Sequence, residues 1–274
     1  MRRQRRRGMA AALCASAAFI WLGMGLVSMW MKGREALTIE VLSPGADVQA
    51  AALPAEEVPT VLIYHTHTWE AYEMTQDTQY TPTETWRTRD DAYNMVRIGE
   101  ALADALRDRG FSVTHDRTAF EPPVLSTAYK RSLSMLEKRI SAGETYDYIL
   151  DVHRDAYSGP VNGSNCITVG NVPVAYVMLL VGKGTGETAS GFDERPDWPK
   201  NLALAQAITD AINREAPGIA KDVKVKSGRY NQHVSTGALL IEVGNNLNTI
   251  DEALAACPLI AAGIAAVHEA GTQP

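Results

Sequence analysis

The chain is poor in cysteine, and the few it has are badly spaced for either structural use of a thiol. Cys14, Cys166 and Cys257 are the only three in 274 residues, with no CxxC pair among them. That excludes a thiolate zinc site and a multi-bridge disulfide framework, and leaves one option, a Cys166–Cys257 pair in an oxidising compartment. Positive charge is also short: 26 Lys and Arg against 32 Asp and Glu give a net charge of −6. Without a basic excess there is no electrostatic footprint for nucleic acid. The glycines of GKGTGE do not make a phosphate loop, because the GxxxxGK[ST] pattern is absent. No internal repeat is visible.

What basic charge there is gathers at the start, in Arg2, Arg3, Arg5, Arg6 and Arg7, just before an uncharged run over 9–31. A helix of that length spans roughly 34 Å, enough to cross a hydrocarbon core of about 30 Å with some tilt. Arginines before the run place the N-terminus in the cytoplasm and the remainder outside, and Trp21 and Trp30 suit the interface. A cleavable signal peptide is the competing reading. The run is longer than an ordinary signal core and lacks a clear A-x-A site, which favours an uncleaved anchor. The organisation expected is a basic cytoplasmic tail (1–8), a transmembrane anchor (9–31), an Ala/Pro/Glu-rich extracytoplasmic linker (32–57) and a catalytic domain (58–274).

Within 58–274 the pattern alternates strand and helix. TVLIY is an apolar strand, and Ala92, Met95, Gly99, Leu102 and Leu106 recur at helical spacing, with Asp90 or Asp91 as the cap and Gly110 as the stop. FSVTH is a second strand, so the first two strands should pair in parallel through a right-handed crossover. Helix is expected over 126–142 with Tyr129, Leu133, Leu136 and Ile140 on one face. YDYILDVH, AYVMLLV and GALLIEV read as further core strands, 223–225 as an edge strand, and 198–215 as a helix. Thr249-x-x-Glu252 is a capping box that opens the last helix. The fold class expected is α/β, a mostly parallel twisted sheet with helices on both faces, preceded by one transmembrane helix.

The chemistry gathers at strand ends. In open α/β sheets ligands bind at the carboxyl edge, and TVLIY runs there directly into His65, His67 and Glu70. The spacing His67-x-x-Glu70 brings an imidazole and a carboxylate to one cation within a single turn. His153 ends the YDYILDVH strand. Glu242 sits inside an apolar strand, where a carboxylate is costly unless paired or near a cation. His67, Glu70 and His153 are thus the candidate ligands of a catalytic zinc with an open position, and Glu242 the general base. His65 has three readings: a supporting partner, an alternative ligand, or a donor to a developing oxyanion. Arg154 is the nearest anion-binding group, and Asp155 a residue to orient a histidine. Arg229, Tyr230, Asn231, Gln232 and His233 precede the Glu242 strand, and Arg229, Asn231 and Gln232 are candidates for substrate contact. His115 and His268 read as ordinary surface or cap residues. The polar stretch 74–89 reads equally as a substrate rim or a surface excursion.

The segments YHTHTWEAY, DVHRDA and RYNQH through GALLIEVGNNLNT, in that order, resemble the stage II sporulation protein P family. The resemblance covers most of the chain after the anchor. It implies a membrane-anchored peptidoglycan hydrolase of endospore-forming bacteria, an N-acetylmuramoyl-L-alanine amidase related to the zinc amidases (a phosphorylase/hydrolase-like fold), with a second ability to cut peptide cross-links. It also implies work with stage II sporulation proteins D and M during engulfment, in the septal space. His153 and Glu242 fall where zinc amidases keep a ligand histidine and the catalytic glutamate, and His67 where their first histidine ends strand one. Those amidases take their carboxylate from the start of the following helix, here Thr88-Arg-Asp-Asp. Glu84, Asp90 and Asp91 therefore compete with Glu70, which the HxxE geometry of zinc carboxypeptidases favours. His233 stands outside the expected metal-bound segments.

Other functions stay open. Asp151-Val-His153 and Gly244-Asn245-Asn246 echo a metallophosphoesterase signature whose GDxxD element is missing. A metallocarboxypeptidase acting on an extracellular peptide fits the same donor set. A catalytically inactive, anchored wall-binding module would have no need of a carboxylate at 242.

Overall fold

A computed structural model describes residues 58–157, 165–185 and 197–272. The anchor and linker expected over 9–57 lie outside the described residues. Six strands form one sheet in the order β2-β1-β3-β8-β6-β7. They are β1 (Thr60–Tyr64), β2 (Ser112–His115), β3 (Tyr148–Asp155), β6 (Val177–Gly182), β7 (Ala220–Lys226) and β8 (Ala238–Asn245). A separate hairpin pairs β4 (Cys166–Val169) with β5 (Val172–Ala175). The helices are α1 (Met95–Arg107), α2 (Ala128–Ser141), α3 (Trp198–Glu215) and α4 (Ile250–Thr272).

Most neighbours in the sheet are parallel, as helical crossovers require, but β6 runs antiparallel to β8. The sheet is thus mostly parallel, as expected, and the one reversed pair has a topological reason. Between β3 and β6 the described chain forms the β4–β5 hairpin rather than a helix, so it returns into the sheet from the edge at which β3 left it. The hairpin has no counterpart in the sequence reading.

Strand alternation sorts the core into two layers. Val61, Ile63, Leu150, Val152, Leu239, Ile241 and Val243 pack with α1, α3 and α4 in the larger cluster. Leu62, Tyr64, Ile149 and Ala238 face the other way, onto Ala128 and Leu136 of α2. Asp151 and His153 share the parity of Ile149, and Glu242 that of Ala238. All three therefore belong to the face carrying α2, the thinner layer, at the carboxyl edge of the sheet.

Several local signals are realised and several are displaced. The α4 box closes in both directions: Glu252 N–H donates to Thr249 Oγ1 at 3.2 Å and Thr249 N–H to Glu252 Oε2 at 3.1 Å. The cap of α1 is Asn94, whose side chain accepts from Val96 N–H at 2.9 Å. Asp90 is instead spent on a turn that receives Ala92 N–H at 3.0 Å. On α2 the buried face is Ala128, Ser132 and Leu136, while Ile140 is exposed. Ile250–Gly271 is apolar and long enough to cross a membrane by composition. Here it is a core helix, since Ala253, Ala256, Cys257, Ile260, Ala261 and Ile264 are fully buried in the larger cluster. Cys257 is buried and Cys166 half-buried, and no disulfide joins them, so the pairing option is not realised.

Candidate active site

The chain leaves β1 at Tyr64 and folds into a turn held by Thr68, whose hydroxyl donates to His65 O at 2.9 Å and Thr118 O at 3.1 Å. Glu70 N–H donates to His67 O at 3.2 Å, so the two side chains leave the turn on one side. His153 arrives from β3. The centres of the His67 and His153 rings are 5.3 Å apart, with the planes at 84°. Glu70 Oε2 lies 3.4 Å from His153 Nδ1. Glu242 is the in-register partner of His153 on the adjoining strand β8, and parallel neighbours in register point to the same face. Tyr129 of α2 stacks on His153 at 6.5 Å and meets His67 edge-on at 5.6 Å.

Four polar atoms here are buried without a hydrogen bond: His67 Nδ1 and Glu121 Oε1, which lie 3.6 Å apart, with His153 Nε2 and Glu242 Oε2. Buried polar atoms normally find partners, so such an orphan asks for an explanation. Burial pushes the Glu242 carboxyl up to about 8 against the restraining charge of His153. Burial also works to raise Glu70. The hydrogen bond and charge of His153, with the charges of Arg154 and His67, outweigh it and bring Glu70 to about 2. Burial disfavours the charge on His153, yet Asp151 and Glu70 between them raise it well above the ordinary histidine range. The two carboxylates on either side of the ring favour the charged form of His153.

Among the described residues, no three His, Cys, Asp or Glu side chains are drawn together as a closed cation site. The donors stand as two close pairs instead, His67 with His153 and His153 with Glu70. A tetrahedral ion with bonds of about 2 Å keeps its ligand atoms roughly 3.3 Å apart and two imidazole centres about 5 Å apart. The spacings of 3.4 Å and 5.3 Å match those values. His67 with His153, and His153 with Glu70, thus stand at spacings that a zinc ion would accept.

The other expected site residues make contacts of their own, and Arg154 N–H donates to Glu70 Oε2 at 3.3 Å. His65 is fully buried beneath the turn, bonded through Nδ1 to Val152 O at 2.9 Å and through Nε2 to His115 Nε2 at 2.9 Å. It does not join the cluster, and burial together with the His115 charge lowers it to about 3. His115 is thus no surface residue: Gly99 of α1 makes room for the pair, since a Cβ there would lie 2.4 Å from His65 Nε2 and 2.5 Å from His115 Nε2. Arg154 is buried and donates through Nε to Ala71 O at 3.0 Å and through Nη2 to Trp86 O at 3.2 Å. Its guanidinium fastens the segment after Glu70. Asn231 donates to Tyr129 O and Ser132 Oγ, both at 3.0 Å. Gln232 donates to Leu180 O at 2.7 Å and accepts from Gly182 N–H at 2.9 Å. Both are buried fold contacts, and Arg229 beside them is half-buried. Glu84 is exposed and pairs with Arg87, while Asp90 and Asp91 are exposed at the approach to α1. Asp155 lines a small cleft with Glu242, Tyr176, Met178 and Lys221.

Sequence reasoning missed Asp151 and Glu121 as part of this site. Asp151 Oδ1 lies 2.8 Å from His153 Nε2. Glu121 is buried, accepts Trp69 N–H at 3.3 Å, pairs with Arg87, and stands 3.6 Å from His67 Nδ1. Strand parity offered a signal for Asp151, two residues before His153. Glu121 lies in a Pro-rich loop with no local signal.

Residues 43–265 match the family model described as Stage II sporulation protein P. A curated relative, "Stage II sporulation protein P" of Bacillus subtilis (strain 168), is 25% identical over 203 residues, covering 70% of this chain. The chain spans about half of that relative's length, 47%. Among solved structures, an N-acetylmuramoyl-L-alanine amidase from Clostridium difficile 630 is similar at a TM-score of 0.43 and 17% identity, over 79% of this chain and 99% of that one. The catalytic domain of CwlV, an N-acetylmuramoyl-L-alanine amidase from Bacillus (Paenibacillus) polymyxa var. colistinus, is similar at 0.46 and 11% identity, over 79% and 100%. A metallo-carboxypeptidase from Burkholderia cenocepacia is similar at 0.40 and 10% identity, over 80% and 59%. With the family model matched across most of its length, the chain belongs to the stage II sporulation protein P family.

Proposed function

We propose that this protein is a zinc-dependent peptidoglycan hydrolase of sporulation, cleaving the amide between N-acetylmuramic acid and L-alanine, with peptide cross-links as a second target. One observation carries the reading. Glu242, a carboxylate with an orphaned buried oxygen, is placed in register beside His153, where His67, Glu70 and His153 offer the donors of one zinc ion. Zinc, when bound there, supplies Lewis-acid polarisation of a carbonyl and acidifies water.

The chain's own groups account for the proton. The Glu242 carboxylate takes a proton from the attacking water and hands it to the departing amine. In the metal-free protein, burial raises its affinity for protons. Glu70 and His153 hold the donor set on strands and a tight turn, while Arg154 fastens the segment from Ala71 to Trp86 around them. Arg229, half-buried beside the Glu242 strand, stays the candidate for binding a substrate carboxylate. The proposal includes anchoring by 9–31 with the catalytic domain in the septal space, and action with stage II sporulation proteins D and M.

Mass analysis of muropeptides released from purified sacculi tests the reading. A free lactyl group on muramic acid is the expected amidase product, and shortened cross-links on intact stems mark the endopeptidase action. Release of neither, by protein carrying stoichiometric zinc, overturns the hydrolase assignment.

A further inference from the structure

The geometry points to Asp151 as a positioning residue, one that turns the His153 ring so that Nδ1, and not Nε2, faces the metal. This rests on the zinc reading above and adds the device that sets the site's affinity. Asp151 is 1% exposed, and its only ion-pair partner among the described residues is His153, with Oδ1 at 2.8 Å from Nε2. A carboxylate so deep without a Lys or Arg is costly unless its charge is used. The carboxylate itself is immobilised by Thr66, whose N–H donates to Oδ1 at 2.8 Å and whose hydroxyl donates to Oδ2 at 2.7 Å. Thr66 Oγ1 lies 2.9 Å from Ser132 Oγ of α2, and Ser132 Oγ receives Asn231 Nδ2–H at 3.0 Å. The buried chain Asn231–Ser132–Thr66–Asp151 thus ends on one ring nitrogen of His153.

The opposite nitrogen of the same ring, Nδ1, is the one 3.4 Å from Glu70. In the metal-free protein the ring is shared between two carboxylates, and its Nε2–H makes no straight hydrogen bond. When Nδ1 carries the metal, Asp151 is the acceptor left for Nε2–H. That fixes the tautomer and makes the ring a better donor, the effect a carboxylate has behind a metal-bound histidine. Hydrogen bonds from Thr66 alone would be served as well by a neutral acceptor. The imidazole is what makes use of the charge.

The test is the affinity of the full chain for Zn²⁺ alone, measured by competition with a chromogenic chelator, with circular dichroism of the zinc-free protein as the fold control. Asp151→Asn keeps the shape and an acceptor for Thr66 N–H but removes the charge, and is expected to weaken zinc binding by about 10- to 100-fold in a folded protein. Thr66→Val, which releases the carboxylate without removing it, should weaken binding by a smaller factor. Affinity within twofold of wild type in folded Asp151→Asn overturns the inference while leaving the zinc site standing. If that variant does not fold, the same result in Thr66→Val overturns it. Wild-type protein that binds no zinc overturns both this role and the site it supports.

Discussion

Replacing Glu242 by glutamine should largely abolish the proposed hydrolysis and stabilise the metal-free fold. The glutamate carboxyl is pushed up to about 8 from an ordinary 4.5, chiefly by burial. A carboxyl with a raised folded value contributes stability below its unfolded value and loses it as pH climbs through the folded one. Between 4.5 and 8 the metal-free fold is therefore undermined by about 1.4 kcal/mol for each pH unit at most. At pH 7 that amounts to roughly 3 kcal/mol, and nearer 2 kcal/mol once the residue's partial contact with solvent is counted. Glutamine has the same shape and no charge to bury, so the cost disappears. Urea unfolding of chelator-treated wild type and Glu242→Gln at pH 5 and pH 7.5 measures it. The variant should gain about 2–3 kcal/mol at the higher pH and little at the lower, while hydrolysis of sacculi falls by about 10²- to 10⁴-fold. A variant destabilised by 1 kcal/mol or more, or one with an unchanged pH slope, would show that Glu242 serves a structural pair and refute the assignment of general base.

Three further outcomes follow from packing. Gly99→Ala drives a methyl into the His65–His115 pair and should cost about 1–3 kcal/mol in unfolding experiments. Thr249→Ala removes one arm of the α4 capping box and should cost about 1 kcal/mol, read as a melting point lower by about 2–4 °C. Arg154→Met leaves Ala71 O without its guanidinium donor and Trp86 O with the Ala71 N–H, so limited proteolysis should quicken within 71–87. A rise in KM with no change in proteolysis would instead make Arg154 a substrate contact.

Much of this molecule is written locally. The strand–helix–strand order, the limits of Trp198–Glu215 and the Thr249–Glu252 box were legible because apolar period and capping chemistry act over a few residues. Glu242 stood out for the same reason, a charge inside GALLIEV. The hairpin at 166–175 and the reversed strand β6 were not legible, because strand direction depends on the edge from which the chain returns. The cap of α1 moved from Asp90 or Asp91 to Asn94 because both aspartates are exposed and Asp90 is held in a turn of its own.

The amino-acid sequence determined which residue types could do chemistry here, and at which strand ends they would arrive. Only the tertiary structure decided which of them meet. His65 and His67 are two residues apart, yet the turn after β1 sends one under the sheet edge to His115 and the other to His153. Glu121, distant in sequence, comes to His67 through loop packing, whereas Asp151 reaches His153 along one face of a single strand. Spacing along a chain governs contact within one helix or strand, whereas contact between elements is set by which faces bury the core.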